Sequence, residues 1–221
     1  MKRTPFVVEG VLRSPILWGS LASVAFFGLI HERILSYELL QRYCAGHPVE
    51  YVETGLFFIG LALLGAKALE LGAQFRTLGH PLLGPVPPGG PISADSEALI
   101  KRLDRLPAAR QNHYLVRRIR EALEHVSRRN SAQGLEEHMK HLAGLHADRA
   151  SASYALLRLI VWAIPILGFL GTVIGITMAI ASLKPEALEQ SMNEVTGGLG
   201  VAFDTTALAL ALCIILMFVQ H

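Results

Sequence analysis

The sequence is poor in charged residues, aromatic residues and cysteine, and each scarcity excludes a class of protein. Charged residues make up 17% of its 221 residues and aromatic residues 7%, whereas 52% are hydrophobic. The two cysteines, Cys44 and Cys213, are too few for a disulfide framework or an iron–sulfur site. The net charge of +2 is too small to indicate nucleic-acid binding. The histidines are scattered without ligand spacing, so we predict no metal, no cofactor and no enzymatic activity.

Long apolar runs are the feature that the sequence does have. A helix that crosses a bilayer needs about 20 mostly apolar residues, and four segments approach or exceed that length. They are residues 15–31 and 50–70 and two runs within 156–221. The fold class predicted is therefore an all-α integral membrane protein with four transmembrane helices. The alternatives are a signal peptide at the first run, which lacks a small-x-small cleavage site, and a surface helix at the second.

The segment between the second and third runs predicts a helical insertion. Residues 79–91 form a linker rich in proline and glycine, and amphipathic helices are expected over 93–110 and 112–129. A third helical pattern begins near residue 131 and predicts one long helix that continues into the third span. The domains predicted are 1–72 with two spans, 73–155 as the insertion and 156–221 with two pore-forming spans. Basic residues crowd the N-terminus and the insertion, which places both, and the C-terminus, in the cytoplasm.

The last two spans share a pattern of small residues and hydroxyls. These residues recur every three or four positions, so those within one span lie on one helical face that another helix can approach closely. They predict helix packing or pore lining at Gly168, Gly171, Gly175, Ala202 and Ala209. A hydroxyl stands on each face, Thr172 in the first and Thr206 or its neighbour Thr205 in the second. Hydroxyls both donate and accept hydrogen bonds, which suits them to an ion pathway.

Asp204 places a carboxylate inside the last span, which is costly and therefore indicates function. At 3.6 residues per turn it points about 160° away from Thr206. Two interpretations stay open. Asp204 lies on the ion pathway, or it faces a neighbouring helix where an arginine, a hydroxyl or its own protonation neutralises it.

Four more ionisable residues flank the loop between the first two spans: His31, Glu32, Glu50 and Glu53. They could gather protons or cations, including calcium. Charge at the end of a membrane helix is more often a solvated surface, and the sequence favours that interpretation.

The run Gly168-Phe-Leu-Gly-Thr-Val-Ile-Gly175 resembles the third transmembrane helix of the MotA/TolQ/ExbB proton-channel family. The run Ala202-Phe-Asp-Thr-Thr-Ala-Leu-Ala-Leu210 resembles that family's last pore helix. The strong similarity covers about residues 158–218. The four-span topology resembles MotA more than TolQ or ExbB, and an aspartate at position 204 departs from TolQ- and ExbB-like sequences.

The resemblance implies a proton channel that acts as the stator or energising subunit of a membrane motor. Family members form homopentamers in the bacterial inner membrane around a single-span partner of the MotB, ExbD or TolR kind, whose aspartate carries the proton. The resemblance assigns Thr172 and Thr206, with Thr205 as alternative, to the ion pathway. A pore that offers hydroxyls, without further oxygen atoms arranged to coordinate a metal ion, favours protons over sodium.

The alternatives are a non-conducting membrane scaffold and a secondary transporter. A transporter predicts internal repeats, which this sequence lacks, and the threonines of a scaffold would bond only to carbonyls of their own helices. The process that such a channel would power stays open among motility, import, gliding and phage defence. Relatives often continue past the last span, so a tail after His221 is a further alternative.

Overall fold

The computed structural model of the protein describes residues 14–32, 38–78, 96–111, 113–181 and 188–221. These residues form helices joined by turns, and none of them forms a strand, which confirms the predicted all-α class. The helices in chain order are α1 Pro15–His31, α2 Glu38–Ala45, α3 Pro48–Leu78, α4 Ser96–Asp104, α5 Ala108–Gln111, α6 Tyr114–Arg129, α7 Leu135–Ser153, α8 Ala155–Ala181 and α9 Leu188–Gln220. The predicted linker 79–91 lies outside the described residues.

Three stretches are long and apolar enough to cross a membrane: Pro48–Phe75, Leu135–Ala181 and Met192–Gln220. The chain is therefore a multi-pass membrane protein. Helix α1 is apolar too, but its 17 residues stand at the lower limit for a hydrocarbon core of about 30 Å. The fourth span, and the cytoplasmic position of the insertion, stay predictions.

The chain divides into two compact units. The first comprises Met1–Ala66 and Ala155–His221, and the second comprises Lys67–Tyr154. Helices α1, α2, α8 and α9 belong to the first unit with most of α3, and helices α4 to α7 belong to the second. The division at residues 72 and 155 that the sequence indicated stays a prediction.

Helices α1 and α3 pack against each other in opposite directions. Helix α1 starts with Ser14 in an extended conformation followed by Pro15, a residue suited to the first turn because that turn's N–H groups lack helical partners. A Cβ on Gly19 would lie 2.5 Å from the Cα of Ile59, so only glycine allows this approach. At the other end, the rings of Phe27 and Tyr51 lie 4.6 Å apart.

Helices α8 and α9 form the most intimate contact of the first unit, also antiparallel. A Cβ on Gly175 would lie 2.6 Å from the backbone nitrogen of Ala202 and the carbonyl oxygen of Gly198. The side chains of Ile164 and Leu216 are fully buried in the same unit. Helix α3 also packs against α9, because a Cβ on Gly60 would lie 3.0 Å from the side chain of Leu216.

Pro165 lies inside α8, which continues through it. Proline has no N–H, so the carbonyl of Val161, four residues earlier, loses its helical donor. The Cys213 thiol of α9 donates to that carbonyl oxygen at 3.4 Å. A sulfur donor from the neighbouring helix thus satisfies the acceptor that proline leaves free.

In the second unit, Leu103 of α4 and Val116 of α6 are fully buried, and Arg120 donates to Asp104 at 2.6 Å. The single helix predicted over 93–110 is wrong. The chain turns between α4 and α5 at Pro107, because proline lacks a helical donor and disfavours helical geometry in the residue before it.

The long helix predicted from residue 131 is interrupted at Tyr154, between α7 and α8. The Ser153 hydroxyl donates to the Ala150 carbonyl at 2.6 Å, and the Tyr154 N–H bonds instead to Ser151 at 3.2 Å. A continuous helix would have joined Tyr154 to Ala150. Serine back-bonding of this kind disturbs helices, and it accounts for the break.

Candidate functional site

Two threonine hydroxyls from neighbouring spans meet in the first unit. The Oγ1 atoms of Thr172 in α8 and Thr206 in α9 are in hydrogen-bond contact. Thr172 Oγ1 also lies 3.2 Å from the carbonyl oxygen of Gly168 and 3.1 Å from that of Ala202. Thr206 Oγ1 lies 3.1 Å from each of the same two carbonyl oxygens. These four oxygens form one group, which we call the threonine cluster.

The cluster has a reciprocal construction. Gly168 stands four residues before Thr172, and Ala202 stands four residues before Thr206. Each hydroxyl therefore reaches the carbonyl of its own preceding turn and the corresponding carbonyl of the facing helix. Threonine bonds confined to their own helices, the arrangement expected of a scaffold, describe only half of these contacts.

Small residues bring the two helices close enough for these cross-helix bonds. A Cβ on Gly168 would lie 2.5 Å from the Cβ of Ala209 and 3.3 Å from the Cα of Thr206. A side chain at position 168 would therefore hold α9 away from the Gly168 carbonyl. The structure places all five residues predicted for packing or pore lining between α8 and α9: Gly168, Gly171, Gly175, Ala202 and Ala209.

The threonine cluster has more hydrogen-bond contacts than it has hydroxyl protons to donate. Each hydroxyl contacts both carbonyls and the other hydroxyl, but each has one proton to donate. The contacts therefore outnumber the donors, and the hydroxyl protons can exchange partners without any change in the backbone. Such a group offers oxygen ligands to a passing proton or cation without a fixed charge that would trap it.

Thr205 lies apart from this group although it is next to Thr206. Its side chain is fully buried against Gly171 of α8. Its hydroxyl bonds only within α9, to the carbonyls of Val201 at 2.9 Å and Ala202 at 3.3 Å. Thr205 therefore fills the helix interface, and Thr206 is the hydroxyl that faces Thr172.

The structure does not bring Asp204 to the threonine cluster. Its carboxylate pairs with Arg42 of α2, whose Nε and Nη2 donate to the two oxygens at 2.7 and 3.1 Å. The Asp204 side chain is 13% exposed and that of Arg42 is 61% exposed. Hydrogen bonding to Asp204 raises the pKa of the Arg42 guanidinium. Of the neutralising partners considered from the sequence, an arginine from another helix is the one present.

The expectation that Glu50 and Glu53 form a solvated surface is wrong. Glu50 is 1% exposed and Glu53 is fully buried. Oε2 of Glu50 accepts the backbone N–H groups of Gly46 at 2.7 Å and His47 at 2.9 Å, as in a capping box. Neither carboxyl oxygen of Glu53 has a hydrogen-bond partner in the described part of the chain. The sequence signal available was the three-residue spacing, which puts both on one face of α3.

The described part of the chain contains no group of three or more histidine, cysteine, aspartate or glutamate side chains arranged to hold a metal ion. Cys44 and Cys213 are both free and buried.

Comparison with known proteins identifies the family of the chain. The family model of the MotA/TolQ/ExbB proton channel family matches residues 110–221. The match covers half of the chain and includes both helices that build the threonine cluster. No curated protein and no solved structure gave a match. The resemblance seen in the sequence is thereby confirmed, and the chain belongs to the MotA/TolQ/ExbB proton channel family.

Proposed function

We propose that this chain is the channel-forming subunit of a proton-driven membrane motor. Five copies surround a single-span partner of the MotB, ExbD or TolR kind, and ion flow turns or rocks one part against the other. The observation that carries the proposal is the threonine cluster, in which α8 and α9 present two hydroxyls and two carbonyls to one another. Membership of the proton channel family supports it.

In this proposal the chain supplies hydroxyls, and the partner supplies the charge. The threonine cluster contains no carboxylate, because Asp204 is held by Arg42. A proton crossing the span therefore needs a carrier from elsewhere, and the partner's aspartate is that carrier. Hydroxyls that accept and donate at the same atom can hand the proton on.

The energy available suits a mechanical step. A transmembrane potential contributes about 2.3 kcal/mol per elementary charge for each 100 mV. A cluster of neutral hydroxyls does not hold the proton by a comparable Coulomb attraction. The potential can therefore drive the proton transfer. The free energy released is then available to move one part of the complex against the other.

Assembly as a homopentamer is supported by apolar surface on the two pore helices. Trp162 and Phe169 of α8 and Phe203 of α9 are each at least two-thirds exposed in the single chain. In the proposed assembly part of this apolar surface contacts lipid, and part packs against neighbouring copies of the chain. The assembly sits in the bacterial inner membrane with both termini in the cytoplasm, because basic residues crowd the N-terminus and residues 67–158.

Two measurements on the protein purified from its native membrane test the proposal. Native mass spectrometry should give five copies together with a single-span protein. Vesicles containing that complex should take up protons when a potential, negative inside, is imposed, and the uptake should persist when sodium is removed. A stable monomer or dimer, or vesicles no leakier than protein-free ones, would support the scaffold instead.

A further inference from the structure

Glu53 is a carboxyl group that nothing in the mechanism above uses. It lies in the second turn of α3 and is fully buried. Neither of its carboxyl oxygens has a hydrogen-bond partner among the described residues. An ionised carboxylate in that situation costs far more free energy than a neutral acid, because no dipole or counter-charge replaces the water that it has lost. The group is therefore stable there only with its proton on.

Glu50, one turn earlier on the same face, has the opposite surroundings. Two backbone N–H groups, those of Gly46 and His47, donate to its Oε2. It also stands in the first turn of α3, where the helix dipole favours negative charge. The surroundings of the two carboxyls thus differ: two N–H donors favour the ionised form of Glu50 against the effects of burial and of the Asp204 carboxylate, whereas no described donor favours ionisation of Glu53.

No other described group supplies a positive charge to Glu53. Arg42 of α2 gives both of its described hydrogen bonds to Asp204 of α9, and that carboxylate acts electrostatically on Glu50. Helix α1 contributes Ser23, which lies beside Gly55. Cys44 of α2 is buried and lies within electrostatic reach of Glu50. Among the described residues no cation neutralises Glu53, and a bound proton does so instead.

We propose that Glu53 is a proton-binding site, separate from the threonine cluster, that exchanges its proton through Glu50. When the proton leaves an oxygen of Glu53, the Glu50 carboxylate one turn away accepts it and passes it to solvent at the start of α3. The ligand is a proton rather than a metal ion, because the described residues contain no group of three or more histidine, cysteine, aspartate or glutamate side chains arranged to hold one.

The test is labelling with N,N′-dicyclohexylcarbodiimide, an apolar reagent that attacks protonated carboxyl groups in apolar surroundings. The full chain in lipid nanodiscs is treated across a pH series, and the modified residue is found by peptide mass spectrometry. We expect the adduct on Glu53 and none on Glu50, with the labelled fraction falling several-fold from mildly acidic to alkaline pH. Glu53→Gln should lose the adduct, and the matched control Glu50→Gln should keep it.

Three results would overturn the proposal: no adduct on Glu53 at any pH, an adduct on Glu50 in its place, or labelling that sodium or calcium suppresses at constant pH. The last would assign the site to a metal cation. Labelling needs neither a partner nor an ion gradient. A protein that is labelled at Glu53 but conducts no protons would therefore contradict the proposed function and would still support a proton-binding site at Glu53.

Discussion

Two polar sites of the first unit differ in how their buried polar groups are hydrogen-bonded and charged. In the threonine cluster every oxygen has a partner, and no group carries a charge. At the start of α3 the groups are carboxyls, and no described residue makes a hydrogen bond to Glu53. The cluster depends on two backbones being close together, whereas the carboxyl site depends on where protons and counter-charges lie. Substitutions that change side-chain volume should therefore disrupt the threonine cluster. Substitutions that change charge should disrupt the carboxyl site.

The largest effect should come from breaking the close approach behind the threonine cluster. In Gly175→Val the new Cβ would meet the backbone of Ala202 and Gly198 at 2.6 Å, and backbone cannot move aside as a flexible side chain can. Overpacking of this kind costs about 1–3 kcal/mol or more. The thermal unfolding midpoint in detergent should fall.

Gly28→Val is the matched control, because a Cβ on Gly28 of α1 has no neighbouring atom within 4 Å. Its unfolding midpoint should stay near that of the wild type. Equal losses in the two variants would show that the α8–α9 contact is not tight.

Charge changes should also act at the Arg42–Asp204 ion pair, which joins α2 to α9. Arg42→Gln leaves the Asp204 carboxylate, 13% exposed, without its counter-charge inside a span, and the protein should be destabilised. In the double variant Arg42→Gln with Asp204→Asn the uncompensated charge is gone. Thermal unfolding should therefore rank the double variant above Arg42→Gln alone. A double variant as unstable as the sum of its parts would mean that the two groups act independently.

A double-mutant cycle sharpens the account of the threonine cluster. Thr172→Val and Thr206→Val each remove a hydroxyl at nearly constant volume. Because the hydroxyls contact each other and share both carbonyls, their effects on unfolding free energy should be non-additive by roughly 1 kcal/mol. Additive losses would show that each threonine bonds only to its own helix.

The smallest effect concerns Cys44, which reports on burial near the carboxyl site. Burial raises the pKa of the Cys44 thiol, and the Glu50 carboxylate raises it further. With a raised pKa the folded protein has less thiolate at neutral pH than an ordinary cysteine. Its stabilising contribution is present below the unfolded pKa and is lost as pH rises through the folded pKa.

In a Cys213→Val background, iodoacetamide should therefore alkylate Cys44 more slowly than in the unfolded protein at neutral pH. The rate should climb as the solution becomes alkaline. Equal rates in the folded and unfolded states would show that the thiol is exposed.

Most helices could be predicted because they depend on local periodicity. The same periodicity placed Thr172 on one face and either Thr205 or Thr206 on the other, but it did not decide between the last two. Small residues at three- and four-residue steps identify a packing face wherever that face lies. The break at Tyr154 also has a local cause, the Ser153 hydroxyl, but serine is common enough in helices that its presence does not predict a break.

The partners of the charged residues could not be predicted in this way. Arg42 and Asp204 are 162 residues apart in the chain, and nothing in the pattern around either residue specifies the other. The burial of Glu53 likewise depends on helices that arrive from distant parts of the sequence. Periodicity showed that Glu50 and Glu53 share a face, but it carries no information on what covers that face.

In the proposed function Thr172 lies on the ion pathway, and the fully buried hydroxyl of Thr205 does not. Thr172 belongs to the threonine cluster, whereas the described hydrogen bonds of Thr205 stay within α9. The deciding measurement is proton uptake into native-membrane vesicles containing Thr172→Val or Thr205→Val, at matched protein amounts. Thr172→Val should abolish uptake, and Thr205→Val should retain most of it. Loss of uptake in both variants, or in Thr205→Val alone, would contradict this assignment.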